Sequence, residues 1–278
     1  MRIFISADME GITGLVDADD VQPGGRDYER GRLAMTEDVN AAVRGALRAG
    51  ATEIVVNDAH GPMRNLMTST LLPAARLIRG KPKTMGMIEG LTSDYDALVC
   101  VGYHSRAGAH GVLSHSFMGH EIEDMWLDER PVGEIGLVHA AAAALGVPLV
   151  VLTGDDAACA EAVEWDATIA TTPVKYVRSR FAAELRPESE ARGAIEKTVA
   201  SALAATERRG EAGDAAATAT LAVRWQSSAV AETLLGIPGV TAVDTRTVQA
   251  AGTPPDLFRQ FGVWMRVASA LTNQAPYC

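Results

Sequence analysis

The sequence predicts an α/β fold with a mainly parallel sheet covered by helices on both faces, followed by a smaller C-terminal α+β lobe. Short runs rich in Val, Ile and Leu are separated by helical segments, which is typical of strands buried on both faces. In the second half of the chain, apolar and polar residues alternate instead, which indicates half-exposed strands. The chain has 278 residues, 47% of them apolar, enough for one large or two modest domains.

The first half alternates predicted strands and helices. Four apolar runs predict the parallel strands, at Ile3–Ala7, Glu53–Asn57, Ala97–Val101 and Leu149–Leu152. Apolar residues at helical spacing, followed by a glycine, predict helices over Glu29–Ala49 and Ile135–Leu145. Between these elements, Glu123–Val132 has the pattern of a β-hairpin with an Asp-Glu-Arg-Pro turn.

The second half predicts the smaller lobe. A charged, Ala-rich helix is expected over Glu188–Thr206, an exposed loop over Arg209–Ala217, and half-exposed strands over Thr218–Trp225 and Val240–Val248. A last helix follows Pro254 and Pro255. The change in character lies within residues 165–185, and it divides the chain into a first domain, residues 1–172, and a lobe, residues 173–278.

Composition excludes several classes of protein. The net charge of -10 opposes a nucleic-acid-binding surface, which needs clustered Lys and Arg. No apolar run is long enough to span a membrane, and the chain starts without a leader, so we expect a soluble, cytoplasmic protein. The three cysteines are widely spaced and lack a CxxC pair, which argues against disulfides and thiolate metal sites.

Acids and histidines follow three of the predicted strands. Asp8 and Glu10 come after the first strand, His60 after the second and His104 after the third. Because the carboxyl ends of parallel strands meet at one edge of a sheet, we expect these side chains to lie together. Two neighbouring carboxylates repel each other unless a cation or a shared proton lies between them. The sequence therefore predicts a metal site at this edge.

A fifth candidate ligand is Glu134, which stands where the next helix begins. On its own it would be an acid favoured by the helix dipole. With the other four it gives more donors than one open zinc site uses, and it fits two metals that share a carboxylate. Asp8, the first acid after the strand, is the expected bridge.

The segment Ser105–His120 contains three further histidines, at positions 110, 115 and 120. One of them could donate a proton, act as nucleophile or stabilise an oxyanion. The residues alone do not select which.

The chain resembles the D-aminopeptidase family, peptidase family M55, a group of dinuclear-metal peptidases with an SxDxEG motif. The first match is Ser6–Gly11. Further matching motifs follow in the family's order, at Met35–Ala42, Asn57–Gly61, Gly102–Gly108, the SHS around His115, Gly133–Gly136 and Thr153–Asp156.

The resemblance implies roles for these residues. Asp8, Glu10, His60, His104 and Glu134 match the metal ligands, with Asp8 bridging, and His115 matches the catalytic nucleophile. It also implies two divalent ions, with zinc the default, although manganese, cobalt and nickel suit the same ligands. Rings of five stacked into a homodecamer, with the active sites facing an inner chamber, are the implied assembly. Residues 1–172 then form the catalytic domain, and the lobe is expected to serve in oligomerisation.

The resulting prediction is a metal-dependent aminopeptidase that removes N-terminal residues, D-amino acids among them, from short peptides. His115 or a bridging water is the expected nucleophile. One alternative is another dinuclear hydrolase, such as a phosphoesterase, for which Asn57 and Arg106 would hold phosphate. The other is a binding protein without catalysis, which leaves the convergence of acids and histidines unexplained. The handedness of the substrate stays open.

Overall fold

The computed structural model describes residues 1–206 and 217–272. Within these ranges the strands, in chain order, are β1 Arg2–Ala7, β2 Glu53–Asp58, β3 Ala75–Ile78, β4 Ala97–Tyr103, β5 Ile122–Leu127, β6 Arg130–Pro131, β7 Leu149–Asp155, β8 Ala170–Ser179, β9 Ala182–Leu185, β10 Ala219–Trp225, β11 Thr241–Ala242 and β12 Thr247–Gly252. The α-helices are α1 Ala18–Val21, α2 Tyr28–Arg48, α3 Glu134–Ala144, α4 Asp156–Trp165, α5 Glu188–Ala205, α6 Ser228–Leu234 and α7 Pro254–Thr272.

The strands form two sheets. The central sheet has the order β3-β2-β1-β4-β7-β8-β9, and its neighbouring strands are parallel except for the antiparallel pair of β8 and β9. The second sheet is antiparallel, with the order β11-β12-β10-β5-β6. The predicted α/β class, with a mainly parallel sheet and an additional α+β part, is confirmed.

Both faces of the central sheet are covered. Successive residues of a strand point to opposite faces. On β1, Ile3 and Ile5 belong to a buried cluster with α2 and α5, whereas Phe4 belongs to a second buried cluster. That second cluster also contains residues of α3, α7 and the second sheet. The apolar runs therefore lack alternation because neither face of the central sheet meets water.

The two sheets do not correspond to the two halves of the chain. The second sheet takes β5 and β6 from the first half and β10 to β12 from the second, while β8 and β9 extend the central sheet through residues 170–185. The division between residues 172 and 173 stays a prediction, and β8 runs across it. Within the described ranges, none of the helices has the length and apolar character that crossing a membrane requires.

The local predictions differ from the structure in two respects, and one further prediction falls mostly outside the described residues. Sequence patterns did not predict β3, β8, β9, α1 and α6. The predicted strand Val240–Val248 is two short strands, because the Asp244 carboxylate accepts hydrogen bonds from the backbone N–H groups of Arg246 and Thr247 and forms a turn there. The predicted loop Arg209–Ala217 lies outside the described residues up to position 216. The predicted hairpin is present as β5 and β6. The predicted helices over Glu29–Ala49, Ile135–Leu145 and Glu188–Thr206 are present as α2, α3 and α5, with ends shifted by one residue at most.

A close backbone approach joins the ends of β1 and β4. The Gly11 N–H donates to the Gly102 carbonyl at 2.8 Å, and a Cβ at Gly11 would collide with the Tyr103 carbonyl oxygen. A Cβ at Gly102, whose φ is +74°, would collide with the Asp8 carbonyl oxygen. These two glycines bring the residues that follow β1 and β4 side by side.

Gly11→Ala tests this constraint. We expect the free energy of unfolding to fall by about 2–4 kcal/mol, because the new methyl group must displace strand backbone. Gly193→Ala is the matched control, since an added Cβ there meets nothing within 4 Å in the middle of α5. It should raise stability by about 0.5–1 kcal/mol. Urea unfolding at constant m-value measures both. Equal stability of the Gly11→Ala variant and the unmodified protein would contradict the constraint.

Candidate metal centre

The structure brings the five predicted ligands together at one edge of the central sheet. Asp8 follows β1, His60 follows β2 and His104 follows β4, while Glu134 is the first residue of α3. All of them, Glu10 included, are buried. Their ligand atoms form two groups, each with atoms within 4.8 Å of one another: Asp8, Glu10 and His60, and Asp8, His104 and Glu134. Asp8 is common to both groups.

The distances within each group suit an ion between the side chains. His60 Nδ1 lies 3.0 Å from Glu10 Oε2 and 3.3 Å from Asp8 Oδ1. His104 Nε2 lies 3.5 Å from Asp8 Oδ2 and 3.4 Å from Glu134 Oε1. The two carboxylate oxygens of Asp8 thus face different histidines. This arrangement suits a carboxylate that bridges two ions.

Two buried polar atoms of the cluster have no hydrogen-bond partner among the described residues: Asp8 Oδ2 and His104 Nε2. A buried polar atom without a partner costs free energy. Both atoms point toward the shared space, and both belong to groups that zinc and related divalent ions bind well. The donor set therefore fits divalent metal.

Backbone carbonyls orient the imidazoles. His60 Nε2 donates to the Val21 carbonyl at 2.8 Å, and His104 Nδ1 donates to the Ser105 carbonyl at 3.0 Å. A carbonyl only accepts hydrogen bonds, so each ring has its proton on the nitrogen that faces the carbonyl. The other nitrogen of each ring faces the carboxylates and is free to bind metal in the neutral ring.

The cluster holds protons when metal is absent. Burial and the Glu10 carboxylate raise the pKa of Asp8 to about 7. Burial opposes charge on His60, but Glu10 and Asp8 raise the pKa of its imidazole well above the ordinary value. In the same way, burial is outweighed at His104, where Glu134 raises the pKa. Metal must therefore displace protons from this site.

Of the three loop histidines, the structure places His115 at the cluster. Its ring stacks on His104, with centroids 4.1 Å apart, and its Nε2 lies 3.8 Å from Glu10 Oε1. His115 Nδ1 donates to the Leu113 carbonyl at 2.8 Å, so Nε2 is free to accept a proton. His110 and His120 are exposed. Burial and the neighbouring His104 lower the pKa of His115.

A buried lysine that sequence reasoning missed fixes the loop after β1. Lys175, on β8, is fully buried, and its Nζ donates to the carbonyls of Glu10, Ile12 and Leu15 at 2.5, 3.0 and 2.6 Å. Its three protons thus hold the backbone that positions Glu10. A lone lysine in the sequence gives no signal of this role, because the contacts span about 160 residues.

Other polar residues at this edge have structural partners. The Asp58 carboxylate accepts from the backbone N–H groups of Asn65 and Leu66, and Asp155 caps α4 through the Ala158 N–H. Asn57 bonds the Gly86 and Met87 carbonyls and Lys83, so it is not free to hold phosphate. The Arg106 guanidinium donates to the Ala107 carbonyl. Asn57 and Arg106, the residues predicted to hold phosphate in a phosphoesterase, therefore both have hydrogen-bond partners within the protein.

The cluster lines a cavity of about 1000 Å³. Beside Asp8, Glu10, His60, His104 and Glu134, the wall contains His115, and α7 supplies an apolar part with Phe258 and Met265. Sequence reasoning predicted α7 but not its place at the site. A cavity of this size accepts a small molecule or a short peptide.

Comparison with known proteins gives consistent matches. The family model for D-aminopeptidases, peptidase family M55, matches residues 1–261. A D-aminopeptidase of Bacillus subtilis strain 168 is 43% identical over 199 residues, which are 71% of this chain and 72% of that protein. The solved structure of the Zn-dependent D-aminopeptidase DppA from Bacillus subtilis, a self-compartmentalizing protease, superposes with a TM-score of 0.91. It has 33% identity and covers 99% of both chains.

Metal affinity should rise steeply with pH. Because the pKa values of His60 and His104 are raised, and that of Asp8 is raised to about 7, metal binding near pH 6 must release protons. We expect zinc affinity to increase by roughly ten- to a hundredfold per pH unit between pH 5.5 and 7. Titration against a competing chelator measures it.

Asp8→Asn tests the assignment, and His110→Gln is its control. Asp8→Asn should lose tight zinc binding, since Asp8 belongs to both ligand groups, whereas the exposed His110 should be dispensable. Zinc affinity that does not vary with pH, or that Asp8→Asn leaves unchanged, would refute this assignment.

Proposed function

The chain belongs to the D-aminopeptidase family, peptidase family M55, and on this premise we propose that it removes N-terminal residues from short peptides with two zinc ions held by Asp8, Glu10, His60, His104 and Glu134. Family membership confirms the resemblance predicted from the ordered sequence motifs. The chain is a metal-dependent aminopeptidase, a hydrolase of peptide bonds.

The observation that supports two ions most directly is the shared carboxylate. Asp8 Oδ1 faces His60 and Asp8 Oδ2 faces His104, and each histidine also faces a further carboxylate. If one ion were bound beside each histidine, each ion would have one carboxylate oxygen of Asp8 within reach. Zinc is the proposed metal because the mixed imidazole and carboxylate donors suit it and because the related DppA structure is zinc-dependent.

Divalent ions held by these side chains would supply Lewis acidity and acidify a water molecule near neutral pH. The protein residues have separate tasks around them. The backbone carbonyls of Val21 and Ser105 fix the two imidazoles, and Lys175 fixes the loop of Glu10.

His115 is the proposed proton-transfer residue. Its Nε2 is free, since Nδ1 donates to Leu113, and it faces the same space as Glu10. The pKa of His115 is lowered by burial and by His104, so the ring is neutral at pH 7 and can accept a proton. The same position would also allow His115 to attack the substrate directly as a nucleophile. Neither role requires His115 to bind metal, so a His115 variant should keep its metal content in both cases.

We also propose that the protein is cytoplasmic and forms a homo-oligomer, specifically a homodecamer. Exposed apolar side chains on the β8–β9 hairpin support an assembly: Tyr176, Phe181 and Leu185. The hairpin includes β9, the edge strand of the central sheet. Phe181 also lines the cavity, so an interface at this hairpin would adjoin the active site. The self-compartmentalizing relative is consistent with this arrangement.

A matched panel of substrates tests the proposed function. The zinc-loaded enzyme should hydrolyse dipeptides and amino-acid p-nitroanilides, and chelation should abolish the activity. Each substrate is assayed as its D- and L-form, and the family relationship favours the D-form. A phosphodiester serves as the control and should not be cleaved. Cleavage of the phosphodiester without cleavage of any peptide would overturn the aminopeptidase proposal.

His115→Gln tests the proton-transfer role. We expect kcat to fall by about two to four orders of magnitude, because the variant cannot accept a proton at this position. Zinc content should equal that of the unmodified enzyme, as measured by atomic emission. His120→Gln, an exposed histidine on the cavity wall, is the matched control. Full activity of His115→Gln would remove the role, and loss of zinc would reassign His115 as a ligand.

A further inference from the structure

The cavity has a basic part that the metal centre does not explain. Apart from Asp8, Glu10 and Glu134, no carboxylate lines it among the described residues, but four cationic side chains do: Lys81, Lys83, Arg180 and Arg266. The protein has a net charge of -10, so this concentration of cations runs against its overall composition.

Three of these cations, Lys81, Arg180 and Arg266, are exposed, and the Arg180 guanidinium lies over the Phe181 ring, 5.6 Å from its centroid. Lys83 is buried and donates to Asn57 Oδ1 and to the Asp58 carbonyl, so its ammonium group binds β2 and is not available to a ligand. Lys81 and Arg266 are exposed, and neither has a carboxylate within ion-pair distance in the described part of the chain.

Arg266 lies next to Lys81. The Arg266 guanidinium donates to the Lys83 carbonyl at 3.1 Å, which places this side chain of α7 across the segment that contains Lys81. Burial and the Arg266 charge lower the pKa of Lys81, consistent with two neighbouring cations that lack an anion. Such a pair is a suitable binding site for a carboxylate.

The size of the cavity relates this pair to the metal centre. A sphere of about 1000 Å³ is about 12 Å across. The two ends of an extended dipeptide are about 7 Å apart, and those of a tripeptide about 10 Å. A short peptide whose amino terminus lies at the metal centre can therefore also end inside this cavity, where Lys81 and Arg266 form a neighbouring pair of exposed cations.

We propose that Lys81 and Arg266 form a subsite for the free α-carboxylate of a short peptide, so that the enzyme selects peptides with an uncapped C-terminus. This inference rests on the proposed aminopeptidase function and adds the substrate class. The amino terminus of the peptide lies at the metal centre, and the cationic pair binds the other end. A longer peptide would have to pass this pair, and its carboxylate would lie outside the subsite.

The test compares Ala-Ala with Ala-Ala amide, both in the handedness that the zinc-loaded enzyme hydrolyses faster. We expect kcat/KM to be at least about tenfold higher for the free acid, mainly through a lower KM, because the amide lacks the charge-assisted bonds. Added NaCl should reduce this preference, since Lys81 and Arg266 are exposed. In Lys81→Met and Arg266→Met, the ratio of the two kcat/KM values should fall toward one.

Lys197→Met is the matched control. Lys197 is an exposed lysine on α5, outside the cavity lining, so its loss changes net charge without touching the subsite. It should keep the preference for the free acid. Equal hydrolysis of both peptides by the unmodified enzyme, or an unchanged preference in the Lys81 and Arg266 variants, would overturn the subsite while leaving the aminopeptidase intact. Hydrolysis of neither peptide would overturn the proposed function, and the subsite with it.

Discussion

Mutual repulsion among three buried carboxylates is the constraint on which the rest of the site depends. Asp8, Glu10 and Glu134 face one another where the strand ends of the central sheet meet α3, and burial makes their charges costly. In the absence of metal, protons on the histidines and on Asp8 reduce that cost, as the raised pKa values show. A divalent cation bound among these carboxylates would replace those protons. The carbonyls that face His60 and His104 fix the two rings so that the other nitrogen of each ring faces the carboxylates.

Contacts to the backbone, made by residues distant in sequence, hold together the sheet edge that carries these carboxylates. Gly11 and Gly102 allow the ends of β1 and β4 to touch, and Lys175 reaches from β8 to hold three carbonyls of the loop after β1. Positioning therefore comes from groups that contact neither substrate nor metal. The cavity wall also depends on a distant segment, because α7 supplies Phe258, Met265 and Arg266 although it begins more than a hundred residues beyond Glu134.

The sequence predicts the parallel sheet and the place of four candidate ligands, because Asp8, Glu10, His60 and His104 each follow an apolar run and strand ends of a parallel sheet meet at one edge. Glu134 follows from a helix start. His115 could not be chosen from His110 and His120 by residue type alone, because stacking on His104 is a tertiary contact. Lys175 and the Lys81–Arg266 pair gave no local signal. Their roles depend on packing between segments that are distant in sequence.

The second sheet combines strands from both halves of the chain, which affects the order in which the molecule is completed during synthesis. β5 pairs with β6 and β10, and β10 is made about a hundred residues after β5. Until then, β5 has one open edge, which in a nascent chain is a template for wrong pairing. All five candidate ligands leave the ribosome before Lys175 and α7. These candidate ligands are therefore synthesised before the segments that position them, and a metal ion bound at that stage would meet an incomplete site.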